Sequence, residues 1–235
     1  MLPTPYYDQD GITIYHGDCR EILPYLPKVD LVLTDPPYPD YHTELYQYTE
    51  NILDCLSSCK CLQKIFWTAK TTFPLDYTAI HIWDKKTGAG SEYERIFERY
   101  GQHNYKVYRF YLINSTVAAS FTRDTFTGHP SQKPRKLIQT LIGNAQTILD
   151  PFMGSGTTLV AAKQLHRKAI GIEIEQRYCD IAIKRLSQGV LDLSIESNSR
   201  AASNHERPSP SLDGKNRTIP QGLFGGEHRR DVENI

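Results

Sequence analysis

The feature that most constrains the fold is a run of alternating strand-like and helix-like segments near the end of the chain. Short apolar runs at Thr147–Asp150 and Ala169–Ile174 have the composition of buried strands. Helix-like segments lie before, between and after them, at Pro134–Asn144, Thr157–Leu165 and Gln176–Leu186. A helix that connects two strands places them in parallel. This order therefore predicts an α/β fold with a mostly parallel sheet and helices on both faces.

The first half of the chain adds further predicted strands. Val29–Thr34 (VDLVLT) is the clearest, and Pro36 and Pro37 end it abruptly. Other segments predicted as strands are Ile12–Tyr15, Lys64–Ala69, Ala79–Trp83 and Tyr105–Ile113, and the predicted helices are Arg20–Leu26 and Thr43–Ser58. Residues 1–186 are thus predicted to form one domain. Residues 187–235 are rich in Ser, Asn, Arg, Pro and Gly, which predicts a disordered tail.

Composition argues against several classes of protein. No apolar run approaches the roughly 18 residues that span a bilayer, and the N-terminus lacks the basic and apolar regions of a signal peptide. An odd count of five cysteines favours free thiols in a reducing compartment. Cys55, Cys59 and Cys61 have no second ligand cluster of the kind that zinc sites use. We expect a cytoplasmic protein with no membrane segment and no metal.

Charge is unevenly distributed although the total is zero. Residues 1–59 carry 2 basic and 10 acidic side chains, a net charge of −8, whereas residues 60–136 carry 13 and 6, a net charge of +7. A neutral total argues against non-specific coating of nucleic acid. The basic middle segment still permits a local phosphate-binding face.

The first motif that carries chemistry is Asp35-Pro36-Pro37-Tyr38, directly after the VDLVLT strand. Ligands of open α/β sheets bind outside the carboxyl ends of strands. The prolines fix the backbone and leave carbonyl acceptors beside the Asp35 carboxylate, while Tyr38 offers a flat ring. Two acceptors and a stacking surface suit a planar amino group. An ordinary strand-ending turn is the competing interpretation.

The second motif, Asp150-Pro151-Phe152-Met153-Gly154-Ser155-Gly156-Thr157, joins a strand to a helix. Glycines at such a turn allow close approach of a ligand to the helix start. The turn lacks the full G-x-G-x-x-G pattern and the lysine of a phosphate loop. Glu173 ends the next strand, where an acid typically binds ribose hydroxyls. A nucleoside with an amino-acid end and no phosphate fits this pattern, which predicts S-adenosylmethionine as the cofactor.

The order of these motifs resembles a known family. DPPY, then HPSQKP at His129–Pro134, then ILDPFMGSGTT and IGIEIE are similar to the β-class DNA amino-methyltransferases, which modify adenine N6 or cytosine N4. The resemblance covers about residues 11–186. It implies a Rossmann-like, S-adenosylmethionine-dependent methyltransferase sheet that is circularly permuted, with the catalytic half before the cofactor half. It also implies a role in DNA modification and restriction-modification.

The resemblance also implies site residues. The catalytic residues would be Asp35, Pro36, Pro37 and Tyr38. Asp18 matches an acid near the adenine ring of the cofactor, and Lys133 a segment near its methionine end. The full set of implied cofactor contacts is Asp18, Lys133, Asp150, Pro151, Phe152, Gly154, Ser155, Gly156, Thr157 and Glu173. For Thr157 a helix cap is an equally good interpretation.

A recognition region is expected within about residues 70–130. Its basic side chains suit phosphate anchoring, namely Lys85, Lys86, Arg95, Arg99, Lys106, Arg109 and Arg123. The region is short, which favours a brief target site or help from a second subunit in a homodimer. The expected partner is double-stranded DNA, and the expected location is the nucleoid of a bacterial cell or of a phage-infected host.

The residues leave alternatives open. The acid in DPPY favours N6 of adenine over N4 of cytosine, because cytosine enzymes more often resemble SPPY. An RNA methyltransferase of similar core would usually carry an extra module, and none is recognisable. A catalytically inactive DNA-binding subunit is the alternative from a different class. Such a subunit would tolerate decay of DPPY or of the glycine turn, and both are intact.

Overall fold

The computed structural model describes residues 1–37, 53, 55–85, 92–102, 104–110 and 132–188. Within these residues the strands are β1 (Tyr7–Gln9), β2 (Ile12–His16), β3 (Leu31–Thr34), β4 (Leu62–Trp67), β5 (Ala79–Asp84), β6 (Tyr93–Arg99), β7 (Val107–Arg109), β8 (Thr147–Asp150) and β9 (Lys168–Glu173). The α-helices are α1 (Cys19–Ile22), α2 (Arg135–Ile142), α3 (Thr157–Gln164) and α4 (Gln176–Gln188). A 3₁₀ turn, Leu23–Tyr25, follows α1, and residues 55–58 are also helical.

All nine strands form one sheet in the order β1-β2-β9-β8-β3-β4-β6-β5-β7. Strands β2, β9, β8, β3 and β4 are parallel to their neighbours. Strand β6 lies between β4 and β5 and is antiparallel to both. Strands β4, β6, β5 and β7 lie on one side of β3, and β8, β9, β2 and β1 lie on the other. This arrangement is an α/β, Rossmann-like sheet with a parallel centre, as the alternation of strands and helices predicts.

The sheet buries an apolar core on each face, because strand side chains alternate in direction. On one face, Leu31, Leu33 and Ile148 pack with the apolar sides of α2, α3 and α4. On the other face, Val32 and Leu149 pack with α1, the 3₁₀ turn and the helical residues near Leu56. Both faces of the central strands are therefore covered, as the continuous apolar run VDLVLT indicates.

The chain reverses its winding direction between β3 and β8. From β3 the chain continues to β4 on one side, and from β8 it continues to β9 on the other. Because β3 and β8 are parallel neighbours, their carboxyl ends meet at the same edge of the sheet. A crevice at such a switch point is where open α/β sheets bind ligands.

The helix predicted at Arg20–Leu26 is shorter than expected. Asp18 caps α1 by accepting a hydrogen bond from the Arg20 amide at 2.9 Å, so the helix begins at Cys19. Pro24 has no amide hydrogen to continue α-helical bonding, and the chain tightens into the 3₁₀ turn at Leu23. The segment therefore ends as a 3₁₀ turn instead of a longer α-helix.

Two of the observed strands, β1 and β6, were not predicted from the sequence. Strand β1 has only three residues and pairs antiparallel with β2. Strand β6 (YERIFER) has four charged residues in seven, so its apolar alternation is weak. Its charged residues are nonetheless stabilised by partners from other strands: Glu98 contacts His81 at 3.1 Å, and Arg99 donates to Gln63 at 2.9 Å. Pairing across strands does not show in a single sequence.

Several predicted elements lie outside the described residues. These are Tyr38, most of the helix predicted at Thr43–Ser58, the first three residues of HPSQKP beginning with His129, and residues 189–235 of the predicted tail. Helix α4 continues through Gln188, so the first two residues assigned to the tail are helical. In the described part of the chain, no helix is long and apolar enough to cross a membrane.

Candidate active site at the carboxyl ends of the parallel strands

The two predicted motifs meet at the switch point. Asp35 directly follows β3, and Asp150 is the last residue of β8. The Thr34 hydroxyl joins them by donating a hydrogen bond to Asp150 Oδ1 at 2.8 Å. Residues 116 positions apart in the sequence thus lie side by side at one edge of the sheet. Thr34 was not predicted as a site residue, although its position directly before DPPY at the end of a strand indicates one.

The described part of the DPPY motif is partly buried, and its two prolines fix the backbone φ angles. Asp35 and Pro37 are half-buried and Pro36 is buried. The Asp35 carboxylate accepts a hydrogen bond from Lys133 Nζ, at 2.5 Å from Oδ2. Lys133, which the resemblance assigns to the methionine end of the cofactor, therefore has its ammonium group on the catalytic motif. Tyr38 lies outside the described residues.

Acidic side chains end three adjacent parallel strands. Asp150 ends β8 and Glu173 ends β9, while Asp18 follows β2. The Gly17 amide donates to the Glu173 carbonyl at 2.9 Å and so ties the ends of β2 and β9 together. Asp18 is paired with the Arg20 guanidinium, which lowers the pKa of the Asp18 carboxyl. A row of acids disfavours phosphate and favours a ligand with cationic groups and hydroxyls.

Glu173 also holds the glycine loop in place. Its carboxylate accepts hydrogen bonds from the Gly154 amide at 3.0 Å and from the Glu175 amide at 2.8 Å. Burial raises the pKa of the Glu173 carboxyl although these amides oppose the shift. The acid that the sequence assigns to ribose binding therefore contacts the predicted cofactor loop directly.

Burial has a larger effect at Asp150. It raises the pKa of this carboxyl to about 6, against the hydrogen bonds from the Thr34 hydroxyl and the Phe152 amide. The nearby Asp35 carboxylate adds to the shift by repulsion. Asp150 thus titrates close to neutral pH within the predicted cofactor site.

This shift gives a testable dependence of stability on pH. Because folding raises the pKa of Asp150, the folded state holds the proton more tightly, and this stabilisation is lost as pH rises from about 4 to about 6. Relative to an Asp150→Asn variant, the wild-type protein should lose on the order of 2–3 kcal/mol of unfolding free energy over that range. Urea unfolding of both proteins across this range measures it. Parallel curves for the two proteins would contradict the assignment.

The glycine loop between β8 and α3 depends on positive φ angles. Gly154 and Gly156 have φ values of 50° and 77°. A Cβ on Gly156 would lie 2.6 Å from the Cβ of Ala182 on α4, closer than any packed methyl groups. Gly156 is also the N-cap of α3, so Thr157 is the first helical residue and not the cap. Both the backbone conformation and the close approach of α4 therefore require glycine at 156.

A buried arginine that the sequence analysis missed anchors this loop from α4. Arg185 Nη1 donates to the Ser155 carbonyl at 2.6 Å, to Ser155 Oγ at 3.2 Å and to Thr157 Oγ1 at 3.0 Å. The sequence holds a signal for this role, because Arg185 lies beside Leu186 and one turn after Ala182 on the buried side of α4. A cation at a buried helical position needs oxygen partners, and the loop provides them.

We expect Arg185→Met to loosen the glycine loop. The variant leaves buried oxygens of Ser155 and Thr157 without their charged donor, so the unfolding free energy should fall by about 2–3 kcal/mol. Cofactor affinity should fall about tenfold, equivalent to about 1.4 kcal/mol. Urea unfolding and calorimetric titration measure the two effects. Arg177→Met is the matched control, because Arg177 is exposed on the same helix, and an equal loss in that variant would refute the anchoring role.

The predicted recognition region contributes strands β5, β6 and β7 to the main sheet. Three of its predicted phosphate anchors have partners inside the protein: Arg95 donates to the Thr68 carbonyl, Arg99 to the Asp76 carbonyl, and Lys85 pairs with Glu94. Lys106 and Arg109 are exposed, although Arg109 also pairs with Asp84 at 3.5 Å. Lys86 and Arg123 lie outside the described residues. Of the predicted anchors that the structure describes, Lys106 and Arg109 are therefore the two that solvent reaches most freely.

The described residues fit a nucleoside cofactor without phosphate. The glycine loop has the positive φ angles that bring backbone close to a ligand, and acids end each of the adjacent strands β8, β9 and β2. Among the described residues, no group of three or more His, Cys, Asp or Glu side chains is arranged to hold a metal ion.

Comparison with known proteins identifies the family. The family described as DNA methylase, with N6 and N4 amino-methyltransferases, matches residues 61–184, more than half of the chain. The type II methyltransferase M.ScaI of Streptomyces caespitosus is 26% identical over 258 residues, which cover 79% of this chain and 84% of that protein. M2.LlaDCHI of Lactococcus lactis subsp. cremoris is 51% identical over 65 residues, 26% of this chain and 24% of that protein.

Two solved structures share the fold. The PvuII DNA methyltransferase, named as cytosine-N4-specific, has a TM-score of 0.58 and 15% identity, and the match covers 80% of this chain and 89% of that one. The M1.HpyAVI–SAM complex has a TM-score of 0.52 and 22% identity, covering 74% and 99%. With the family match and the two motifs at one edge of the sheet, this chain belongs to the N6/N4 DNA methylase family, whose methyl donor is S-adenosylmethionine.

Proposed function

We propose that this DNA methyltransferase transfers a methyl group from S-adenosylmethionine to the exocyclic N6 of an adenine that is flipped out of duplex DNA. The observation that carries the proposal is the junction of the two motifs. Asp35 and Asp150 end neighbouring parallel strands, and the Thr34–Asp150 hydrogen bond of 2.8 Å connects them. A base held at DPPY would therefore lie beside a cofactor held at the glycine loop.

Asp35 and the Pro36 carbonyl are the proposed acceptors for the two amino hydrogens of the base. The lone pair of an exocyclic amine is delocalised into the ring, and acceptors on both hydrogens favour its localisation on nitrogen. S-adenosylmethionine supplies, when bound, an electrophilic methyl group for that nitrogen. The Asp35 carboxylate also stabilises the positive charge that develops on the amine and can accept the proton that the amine loses. The turn thus acts by positioning and by electrostatics.

The proposed cofactor contacts come from the acidic row and the loop. Glu173 at the end of β9 would accept from ribose hydroxyls, as acids at this position do in related folds. Asp18 would lie near the adenine ring, and Asp150, Pro151, Phe152, Gly154, Ser155, Gly156 and Thr157 would surround the methionine end. Support comes from the adjacency of β8, β9 and β2 and from the absence of a basic residue in the loop sequence. Lys133 is proposed to contact Asp35 and not the cofactor.

Base flipping completes the proposed mechanism. A duplex hides the amino group, so the enzyme must unstack and unpair the base at a cost of a few kcal/mol. Tyr38 would stack on the flipped base. The recognition region within about residues 70–130 would contact the duplex, with Lys106 and Arg109 as phosphate contacts.

The test is methyl transfer from isotope-labelled S-adenosylmethionine to unmethylated duplex DNA, followed by nucleoside mass spectrometry. N6-methyladenine is the expected product, because the motif begins with an acid. N4-methylcytosine would overturn the choice of base and leave the site assignment intact, since both targets are exocyclic amines. Label on neither base, with the cofactor bound, would overturn the proposed function.

The proposal includes the expected partner and location. Double-stranded DNA is the substrate, and a homodimer would enlarge the short recognition region. Light scattering of the protein with and without a DNA duplex tests the homodimer, and a monomer in both states would exclude it. The proposed location is the cytoplasm of a bacterial cell or of a phage-infected host, in association with the nucleoid.

A further inference from the structure

We propose that Lys133 and Glu94 are positioning residues for Asp35: Lys133 holds the Asp35 carboxylate in a fixed orientation at the target base, and Glu94 holds the ammonium group of Lys133 from the other side. The inference rests on the proposed function, because it concerns how the catalytic turn is prepared for the amine. It gives Lys133 a role on the catalytic side of the crevice and assigns a role to Glu94, which belongs to neither motif.

The ammonium group of Lys133 is enclosed by two carboxylates and an aromatic ring. Its Nζ lies 2.5 Å from Asp35 Oδ2 and 3.3 Å from Glu94 Oε2, and the side chain is 8% exposed. It also lies 5.0 Å from the centre of the Phe66 ring. A buried cation with two anionic partners is held firmly, because withdrawal of either partner leaves charge without compensation.

The charges continue beyond Lys133. Glu94 Oε1 contacts Lys85 Nζ at 2.9 Å, so the order is Asp35, Lys133, Glu94 and Lys85 with alternating sign and no net charge. Burial disfavours the charged forms, but the carboxylates of Asp35 and Glu94 outweigh it and raise the pKa of Lys133. In the same way, burial is outweighed at Glu94 by the two ammonium groups, which lower the pKa of that carboxyl. The two middle groups are therefore both charged at neutral pH.

These four groups come from separate parts of the chain that meet at the active edge. Asp35 follows β3, Lys133 precedes α2, Glu94 lies in β6, and Lys85 follows β5. The ion pairs thus connect the catalytic turn to two strands of the predicted recognition region. Because ion pairs connect the Asp35 carboxylate to these strands, it keeps its orientation when a base enters the crevice.

A second carboxyl also faces Asp35, and Lys133 offsets its charge. The buried Asp150 carboxyl lies close enough to repel the Asp35 carboxylate. Without the ammonium group, Asp35 would face the Asp150 and Glu94 carboxylates with no cation between them, and repulsion would turn it away from its place at the amine. Lys133 therefore offsets two acidic neighbours, while Glu94 holds the ammonium group from its other side.

Lys133→Met tests this role by removing the charge and keeping the length of the side chain. We expect kcat for methyl transfer to fall about a hundredfold while the KM for DNA stays within about threefold of wild type, because the carboxylate loses its orientation at the reacting amine. Affinity for S-adenosylmethionine, measured by calorimetry without DNA, should stay within about threefold of wild type. Lys133→Arg keeps the charge and should restore most of the lost kcat.

Glu94→Gln provides a second variant with a smaller expected effect. This variant leaves Lys133 with Asp35 as its remaining carboxylate partner among the described ion pairs. The ammonium group is then held from one side, so kcat should fall about tenfold. A KM for DNA and a cofactor affinity close to wild type in both variants separate positioning of Asp35 from a general loss of structure, which would weaken binding as well.

Lys163→Met is the matched control. Lys163 also pairs with an aspartate, at 2.8 Å from Asp10, but it lies at the opposite edge of the sheet. The kcat of Lys163→Met should equal that of wild type. A wild-type kcat in both Lys133→Met and Glu94→Gln, or a Lys133→Met protein with weakened cofactor binding and wild-type kcat, would overturn the positioning role. Absence of methyl transfer to DNA by the wild-type protein would instead refute the proposed function, and this inference with it.

Discussion

Replacement of Asp35 by alanine is expected to lower methyl transfer on the order of a thousandfold while cofactor binding survives. The variant removes the anionic acceptor that follows β3 and leaves the glycine loop after β8 intact. Because the acceptor acts mainly as positive charge develops on the amine, the loss should appear in kcat more than in the KM for DNA. Single-turnover transfer of labelled methyl to duplex DNA measures it, beside calorimetric titration of the cofactor.

Two further variants make this result specific. Asp35→Asn keeps the shape and replaces an anionic acceptor by a neutral amide, so its activity should also fall well below wild type. Asp10→Asn removes an exposed carboxylate that pairs with Lys163 far from the crevice, and it should be fully active. Near-wild-type transfer by Asp35→Ala would show that the amine does not depend on this carboxylate, and the acceptor mechanism would be wrong.

Gly156→Ala is expected to produce the largest loss of stability. The φ value of 77° costs about 1–2 kcal/mol for a residue with a Cβ. The new methyl group would lie 2.6 Å from the Ala182 Cβ, and such overpacking costs about 1–3 kcal/mol. Together these effects should lower the unfolding free energy by about 3 kcal/mol and displace the cofactor loop. Urea unfolding and cofactor titration measure both consequences.

The chain offers a control for each half of this effect. Gly11 has nearly the same φ, 76°, and its added Cβ would meet the Lys168 side chain at an ordinary contact distance of 3.4 Å, so Gly11→Ala reports the backbone strain without the clash. Ala182→Gly removes the methyl group that Gly156→Ala would strike. The double variant should therefore lose less than the sum of the two single variants. Strict additivity would show that α4 does not set the need for glycine at 156.

Local patterns predicted the cofactor half of the fold closely. The strand predicted at Thr147–Asp150 is β8, the strand predicted at Ala169–Ile174 is β9 with a shift of one residue, and the helix predicted from Gln176 is α4. These elements are apolar, regularly spaced and separated by clear turn residues, so their periodicity is strong. Strand β6 was not predicted, because its charged residues weaken the apolar alternation. Partners on other strands stabilise these charged side chains.

The candidate site shows the same contrast between residues that local patterns reveal and residues that only distant contacts reveal. Asp35, Asp150 and Glu173 were identified because each ends an apolar strand, where a polar side chain stands out. Arg185 and Glu94 were not identified as site residues, because their importance lies in distant partners: Ser155 for Arg185, and Lys133 for Glu94. The role proposed for Lys133 also changed, from the cofactor to Asp35, because its contact with Asp35 appears only in the structure. A motif shows that a residue is near the site, but contacts decide which group it serves.

The sequence by itself determined the family, the α/β sheet and the two motifs, because strand periodicity, glycine turns and strand-ending acids are local properties of the chain. Only the tertiary structure decided that Thr34 joins Asp150, that Arg185 holds the glycine loop and that Lys133 lies between Asp35 and Glu94. These contacts join residues from 28 to 116 positions apart. They depend on the order of strands in the sheet, which brings the ends of β3, β8 and β6 to one edge and gives each buried charge its partner.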